Sequence, residues 1–282
     1  MNHDQRHAAA CTQGLDHYID PQTGYRVFTA VALNRRGNCC GCSCRHCPYG
    51  HEQVPEDQRK NLTQDPWLER REAGTADCDV LSWSGGKDSF LALVALARRA
   101  QRDVVLMTTF DGRSGHVAHQ EVHIDDIRAQ AQRLSMSLLL VPLYPESDYQ
   151  ERVLTALELL RAERPVRRIA FGDLHLAHVR KWRIDHFGPP LKALDIEPHF
   201  PIWQVPYPDL EATFFASGAT ATVSAVADPV LATGCAAGDE FTTDWLNMLP
   251  DGIDRFGENG EFHTLVSPPT TSWRNLAVAA KR

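Results

Sequence analysis

Residues 82–89 read Ser-Trp-Ser-Gly-Gly-Lys-Asp-Ser, and their flanks constrain the fold more than any other feature of this 282-residue chain. Asp79-Val80-Leu81 before them suits a short buried strand, and residues 90–97 after them have the length and composition of a buried helix. Strand, glycine turn, helix is a phosphate-binding layout. Gly85 and Gly86 let the backbone approach an anion, the first N–H groups of the helix point at it, and the helix dipole favours its charge. Ser84, Ser89 and Lys87 add side-chain donors, and Ser82 ends the strand that leads in. The common nucleotide loop G-x-x-x-x-G-K-[ST] is excluded, because Leu81 stands at its first glycine and Asp88 follows the lysine. A Gly-Gly pair alone marks only a tight turn; Ser84, Gly85, Gly86, Asp88 and Ser89 together point to a site.

Downstream the pattern alternates strand and helix, as a parallel sheet with crossover helices requires. Strands are predicted at 79–83, 104–109, 138–143 and 168–172, with helices at 88–99, 122–134 and 149–164. The fold class is α/β. Ligands in such sheets bind beyond the carboxyl ends of the strands, so Thr109, Asp111, Gly172 and Asp173 are expected to share a crevice with the loop. Residues 56–76 read as a polar linker with short helices around 55–62 and 67–72. The expected organisation is a cysteine-rich module at 1–55, the linker, a nucleotide-binding domain at 77–196 and a smaller α+β domain at 197–282.

A net charge of −7 offers no global pull toward nucleic acid or anionic lipid. No apolar stretch approaches the roughly 20 residues that span a bilayer, and the N-terminus lacks a signal-peptide core, so a cytoplasmic protein is expected.

Cys39, Cys40, Cys42, Cys44 and Cys47 crowd one short window. A disulfide framework is disfavoured in a reducing compartment, and neighbours on so short a loop cannot all meet disulfide geometry. Metal ligation is the better reading. Cys44-x-x-Cys47 is a chelate pair common to zinc and iron–sulfur sites, and four thiolates suffice for either, so one cysteine is spare. Cys11, Cys78 and Cys235 stand alone and read as inert thiols. His116, His119 and His123, with Glu121, Asp125 and Asp126, read as a solvated face before a metal site.

The loop resembles the S-G-G-x-D-S signature of the PP-loop ATP pyrophosphatases, a fold of the adenine nucleotide α-hydrolase kind. Three further strings follow in order: 171–182, Phe-Gly-Asp-Leu-His-Leu-Ala-His-Val-Arg-Lys-Trp; 200–203, Phe-Pro-Ile-Trp; and 257–264, Gly-Glu-Asn-Gly-Glu-Phe-His-Thr. Together they are similar to the diphthine–ammonia ligase family of PP-loop enzymes over about residues 77–266, in a form resembling its bacterial branch. Residues 17–51, with Cys39-Cys40-Gly41 and Cys44-Arg45-His46-Cys47-Pro48-Tyr49, are similar to a small uncharacterised bacterial cysteine-rich module.

These resemblances imply roles. Ser84, Gly85, Gly86, Lys87 and Ser89 would hold the β- and γ-phosphates of ATP, and Asp88 a Mg²⁺ that neutralises the leaving pyrophosphate. A carboxylate would be adenylated, and ammonia or another amine would displace AMP. Asp173 is a candidate for a second metal or substrate contact, Arg180 for a phosphate or carboxylate clamp, and Glu258 and Glu261 for handling the amine. Cys39, Cys40, Cys44 and Cys47 are the implied metal ligands, zinc or iron–sulfur. No glutaminase nucleophile segment is present, which points to free ammonia or an amine substrate. The alternative is a tRNA-modifying sulfur transferase with a cluster at the cysteines, and only that reading calls for a nucleic-acid partner.

Overall fold

The computed structural model describes residues 3–20, 23–59, 62, 64–70, 76–99, 102–117, 122–145, 147–227, 230 and 234–276. The N-terminal module contains α1 (His3–Thr12), the hairpin β1 (His17–Ile19) and β2 (Arg26–Phe28), and α2 (Ala30–Asn34). Thr29 caps α2 by accepting from the Ala32 N–H. The chain continues through α3 (Glu56–Arg59), β3 (Trp67–Glu69), β4 (Cys78–Ser82), α4 (Lys87–Arg99), β5 (Asp103–Asp111), the small hairpin β6 (His116–Val117) and β7 (Val122–His123), and α5 (Ile124–Arg133). There follow β8 (Leu138–Leu143), α6 (Tyr149–Arg161), β9 (Val166–Ala170), α7 (Ala177–Ala193), β10 (Glu197–His199), α8 (Tyr207–Ala216), β11 (Thr220–Val226), α9 (Thr243–Met248) and β12 (Phe262–Ser267).

One six-stranded sheet, in the order β10-β9-β4-β5-β8-β3, organises the molecule. Its first five strands are parallel and β3 joins β8 antiparallel. The α/β class expected from the sequence is the class found. Two details differ from expectation. The stretch around Trp67 is an edge strand, not a helix, because its apolar residues pair with Leu138–Leu140. Val122 and His123 form β7 ahead of α5, because the His123 ring accepts from the Asp125 N–H and so caps the helix at that point.

Side-chain alternation along the strands divides the core. Cys78 and Val80 face a cluster with Val153, Leu157 and Leu160 of α6 and Phe187 and Leu191 of α7. Leu81 faces the opposite cluster, with Phe90, Leu91 and Val94 of α4 and Ile127 of α5. That second cluster continues into Phe214, Phe241, Trp245, Phe256, Phe262 and Val266, so the C-terminal segment packs directly on α4. The sheet also extends past residue 196, since β10 is its outer strand beside β9.

Strand order fixes the crevice. From β4 the chain proceeds to β5 and β8 on one side, then returns to place β9 on the other, so the direction of winding reverses between β4 and β9. Ligands bind such sheets at that reversal, beyond the carboxyl ends of the strands. The residues after Ser82 and after Ala170 flank it.

Candidate active site

The turn after β4 takes its shape from Gly85, whose φ of +81° lies in the left-handed region. A side chain there would also strike Ile127 Cδ1 at 2.6 Å. Gly86 N–H donates to Ser84 Oγ at 3.3 Å, Ser89 Oγ donates to the Gly86 carbonyl at 2.9 Å, and the two serine hydroxyls lie 3.3 Å apart. Gly172, just past β9, presses on the first turn of α4: a Cβ at this position would lie 2.9 Å from the Asp88 carbonyl carbon and oxygen. Gly172, expected near the loop from its place at a strand end, thus abuts the backbone of Asp88.

Asp88 lies at the floor. Its side chain is 35% exposed, yet Oδ1 is buried without a hydrogen-bond partner, while Oδ2 accepts from Lys87 Nζ at 3.2 Å. Burial pushes the Asp88 pKa up, Lys87 opposes that, and Asp254 and Asp173 add to it. A buried oxygen with no donor, in a carboxylate that is costly to ionise, fits a divalent cation bound by oxygen ligands.

Besides Asp88, Lys87 contacts the C-terminal segment. Its ammonium donates to the Phe256 carbonyl at 2.5 Å and lies 5.4 Å and 5.1 Å from the ring centres of Phe256 and Phe262. The Lys87 N–H donates to Thr264 Oγ1 at 3.1 Å. The 257–264 string is thus joined to the loop through its threonine.

Glu258 and Glu261 occupy different surroundings. Glu258, with its side chain 10% exposed, accepts from the N–H groups of Leu174 and His175 at 2.9–3.1 Å. Burial raises its pKa, those N–H groups oppose the rise, and Asp88 adds to it. Glu261 is bonded into its own turn, accepting from the N–H of Asp254, the N–H of Asn259 and the Asn259 side-chain amide. Asp254 accepts from the Tyr207 hydroxyl at 2.6 Å, and burial together with that bond raises the Tyr207 pKa.

Asp173 is paired with Arg183 at 2.8 Å, and Arg183 lies over the Phe171 ring. Arg180 stands with its guanidinium carbon 5.0 Å from the Phe200 ring centre and 4.9 Å from that of Trp203, and its buried Nε has no partner. Both rings belong to the 200–203 string. Two other expected residues have local partners. Asp111 closes its own turn by accepting from the N–H groups of Arg113 and Ser114, which holds its carboxyl below the usual range, and Thr109 pairs with Val141 within the sheet. His116 and His123 face each other across the β6–β7 hairpin, and His119 and Glu121 lie outside the described residues.

Gln130 was not legible as a site residue. Its amide is buried, accepts from the Trp83 indole N–H at 2.7 Å, and donates to the Gly85 carbonyl at 2.9 Å and the Val266 carbonyl at 2.6 Å. It joins α5, the loop and β12 at one point. The only sequence signal was a glutamine on the apolar side of a helix.

Residues 79–188 match the family model described as Diphthamide synthase N-terminal domain. The match supports a likeness of this segment to the PP-loop ATP pyrophosphatases. The match agrees with the strand, glycine loop and helix at β4 and α4. Residues 6–53 match a second model, described as a family of unknown function, DUF5522. Among the described residues no helix is long and apolar enough to cross a membrane.

In the N-terminal module, one group of three potential ligand atoms lies mutually within 4.8 Å among the described residues: those of His7, His46 and Asp65. The two imidazoles are stacked at 3.8 Å with 1° between their planes, which aims their lone pairs along parallel planes and not at one point. His46 is already bonded to Asp65 at 2.5 Å and to the Tyr18 hydroxyl at 2.8 Å, and His7 Nε2 accepts from the Ala30 N–H. Burial, then the neighbouring His46, pushes the His7 pKa down to about 4. The cluster is a hydrogen-bonded brace.

Proposed function

We propose that the chain is an ATP-dependent, AMP-forming carbon–nitrogen ligase that makes an amide through an acyl adenylate, as the diphthine–ammonia ligases it resembles do, on a different substrate. The observation that carries this reading is the unpartnered, buried Asp88 Oδ1 in the same loop as the paired Ser84 and Ser89 hydroxyls, at the winding reversal. Asp88 would hold Mg²⁺, which neutralises charge on the departing pyrophosphate.

Ser84, Gly86 and Ser89 would cradle the β- and γ-phosphates, and Arg180, in contact with the Phe200 and Trp203 rings, would hold the α-phosphate or the attacking carboxylate. A carboxylate oxygen attacks the α-phosphorus and the bond to pyrophosphate breaks. Nitrogen then attacks the acyl carbon and AMP leaves. Such a mechanism needs positioning and fixed charge more than a covalent protein intermediate. Removing a proton from the incoming ammonium falls to Glu258, whose pKa burial raises above the usual carboxylate value, with Glu261 shaping the turn that presents it. The partners are ATP, a small-molecule or protein-borne carboxylate, and ammonia or an amine.

The test is to incubate the protein with ATP, ammonium and a panel of carboxylates and to separate the nucleotide products. AMP and pyrophosphate formed in step with amide support the reading; ADP as the product overturns it.

A further inference from the structure

In the cysteine loop of the N-terminal module, Gly41 N–H donates to Cys39 Sγ at 3.5 Å. The sulfurs come in two pairs, Cys39 with Cys47 at 3.8 Å and Cys40 with Cys44 at 3.4 Å, and all eight cysteines of the chain are free of disulfides. Four sulfurs around one tetrahedral ion at Zn–S distances of about 2.3 Å stand about 3.8 Å from each other. Each pair therefore spans one edge of that tetrahedron, and since no three of the four sulfurs lie mutually within 4.8 Å, the two pairs must draw together to complete it.

A single small cavity is lined by Cys39, Cys40, Cys44 and Cys47, and Cys42 is not among its walls. Cys42 is exposed and turns its thiol to the Cys40 carbonyl. The cavity has room for about one water-sized sphere, which suits an ion and leaves no space for the bridging sulfides of a cluster.

The loop that supplies Cys44 and Cys47 also carries the contacts that dock the module. Arg45 pairs with Asp20 at 2.9 Å, His46 bonds Asp65 of the segment entering β3, and His51 Nε2 bonds the Cys44 carbonyl at 2.7 Å. Gly50 lies so close to the Trp67 ring of β3 that a Cβ would sit 2.6 Å from Cε2, and Trp67 meets Phe110 of β5 edge-on at 5.9 Å.

We propose that Cys39, Cys40, Cys44 and Cys47 bind one zinc ion, and that this ion fixes the 44–51 loop as the clasp that fastens the N-terminal module to the catalytic sheet. The inference is independent of the ligase reading. It explains why a module of so little core can hold a fixed position, since metal binding supplies folding free energy that small cores lack.

The test compares two exposed cysteines two positions apart, so that neither substitution opens a core. The full chain, purified anaerobically without chelator, is assayed for metal content and for amide hydrogen exchange at 44–51 and 64–69. One zinc per chain is expected in the wild type and in Cys42→Ser, and a several-fold loss of zinc with faster exchange in both segments in Cys40→Ser. Titrating wild-type thiols with a mercurial should release the zinc with no variant involved. The proposal is overturned by absence of zinc in the wild type, by visible absorption and iron in place of zinc, or by equal zinc loss in both variants. Loss of zinc without faster exchange at 64–69 removes the clasp.

Discussion

Gln130 offers the sharpest test of how the phosphate loop is held. Replacing it with methionine keeps the length and nearly the volume of the side chain but deletes one acceptor and two donors. Three partners lose a bond: the Trp83 indole N–H, the Val266 carbonyl and the Gly85 carbonyl. The Gly85 carbonyl still accepts from the Val266 N–H at 2.9 Å, so two groups are stranded in the interior. At about 1–3 kcal/mol for each buried group left unsatisfied, Gln130→Met should cost about 2–6 kcal/mol. Urea denaturation of the two proteins measures this directly. Because the stranded groups lie in the loop and in the strand beside it, calorimetric titration with ATP should also show weaker binding in the fraction that stays folded. Gln130→Glu retains the acceptor for Trp83 but sets a carboxylate oxygen against two carbonyls, and should be no better tolerated. A loss below about 0.5 kcal/mol for Gln130→Met, with unchanged ATP affinity, would refute the bridging role assigned to this amide.

Two further outcomes follow from the carboxylates. Burial, with Asp254 and Asp173 and against Lys87, raises the Asp88 pKa above its unfolded value. The folded protein therefore binds more protons than the unfolded chain between the two values, and stability is lost as pH rises through the raised one. Asp88→Asn should accordingly be more stable than the wild type at neutral pH, with the gap closing below the ordinary aspartate range, while AMP formation is abolished; melting curves across pH measure the first and product analysis the second. Glu258→Gln should leave ATP binding nearly unchanged and stop amide formation, with an adenylate that hydroxylamine can trap, whereas Glu261→Gln should retain product formation at a reduced rate because it disturbs only the turn. Normal turnover in Glu258→Gln assigns the amine step to another group.

Local chemistry made the loop readable from sequence. Gly85 at φ +81° and the serine and aspartate around it are short-range requirements, met by neighbours within eight residues. Strand and helix positions from 78 onward were readable for the same reason, since burial on two faces leaves continuous apolar runs such as Leu138–Leu143. The edge strand at Trp67 was not, because three residues among polar neighbours become a strand only when β8 offers its free edge.

What the sequence determined by itself was the strand, glycine turn and helix at β4 and the presence of a thiol-rich module, since both depend on residue types at fixed spacing along one segment. What only the tertiary structure decided was who meets whom. Thr264 takes the N–H of Lys87, Gln130 holds Gly85, Gly172 presses on Asp88, and Glu258 caps 174–175 while Glu261, three residues on, is absorbed in its own turn. Those partners lie 45 to 177 residues apart in the first four cases. No local pattern encodes such meetings; they are set by the direction in which the sheet winds and by the apolar faces that bring the C-terminal segment onto α4.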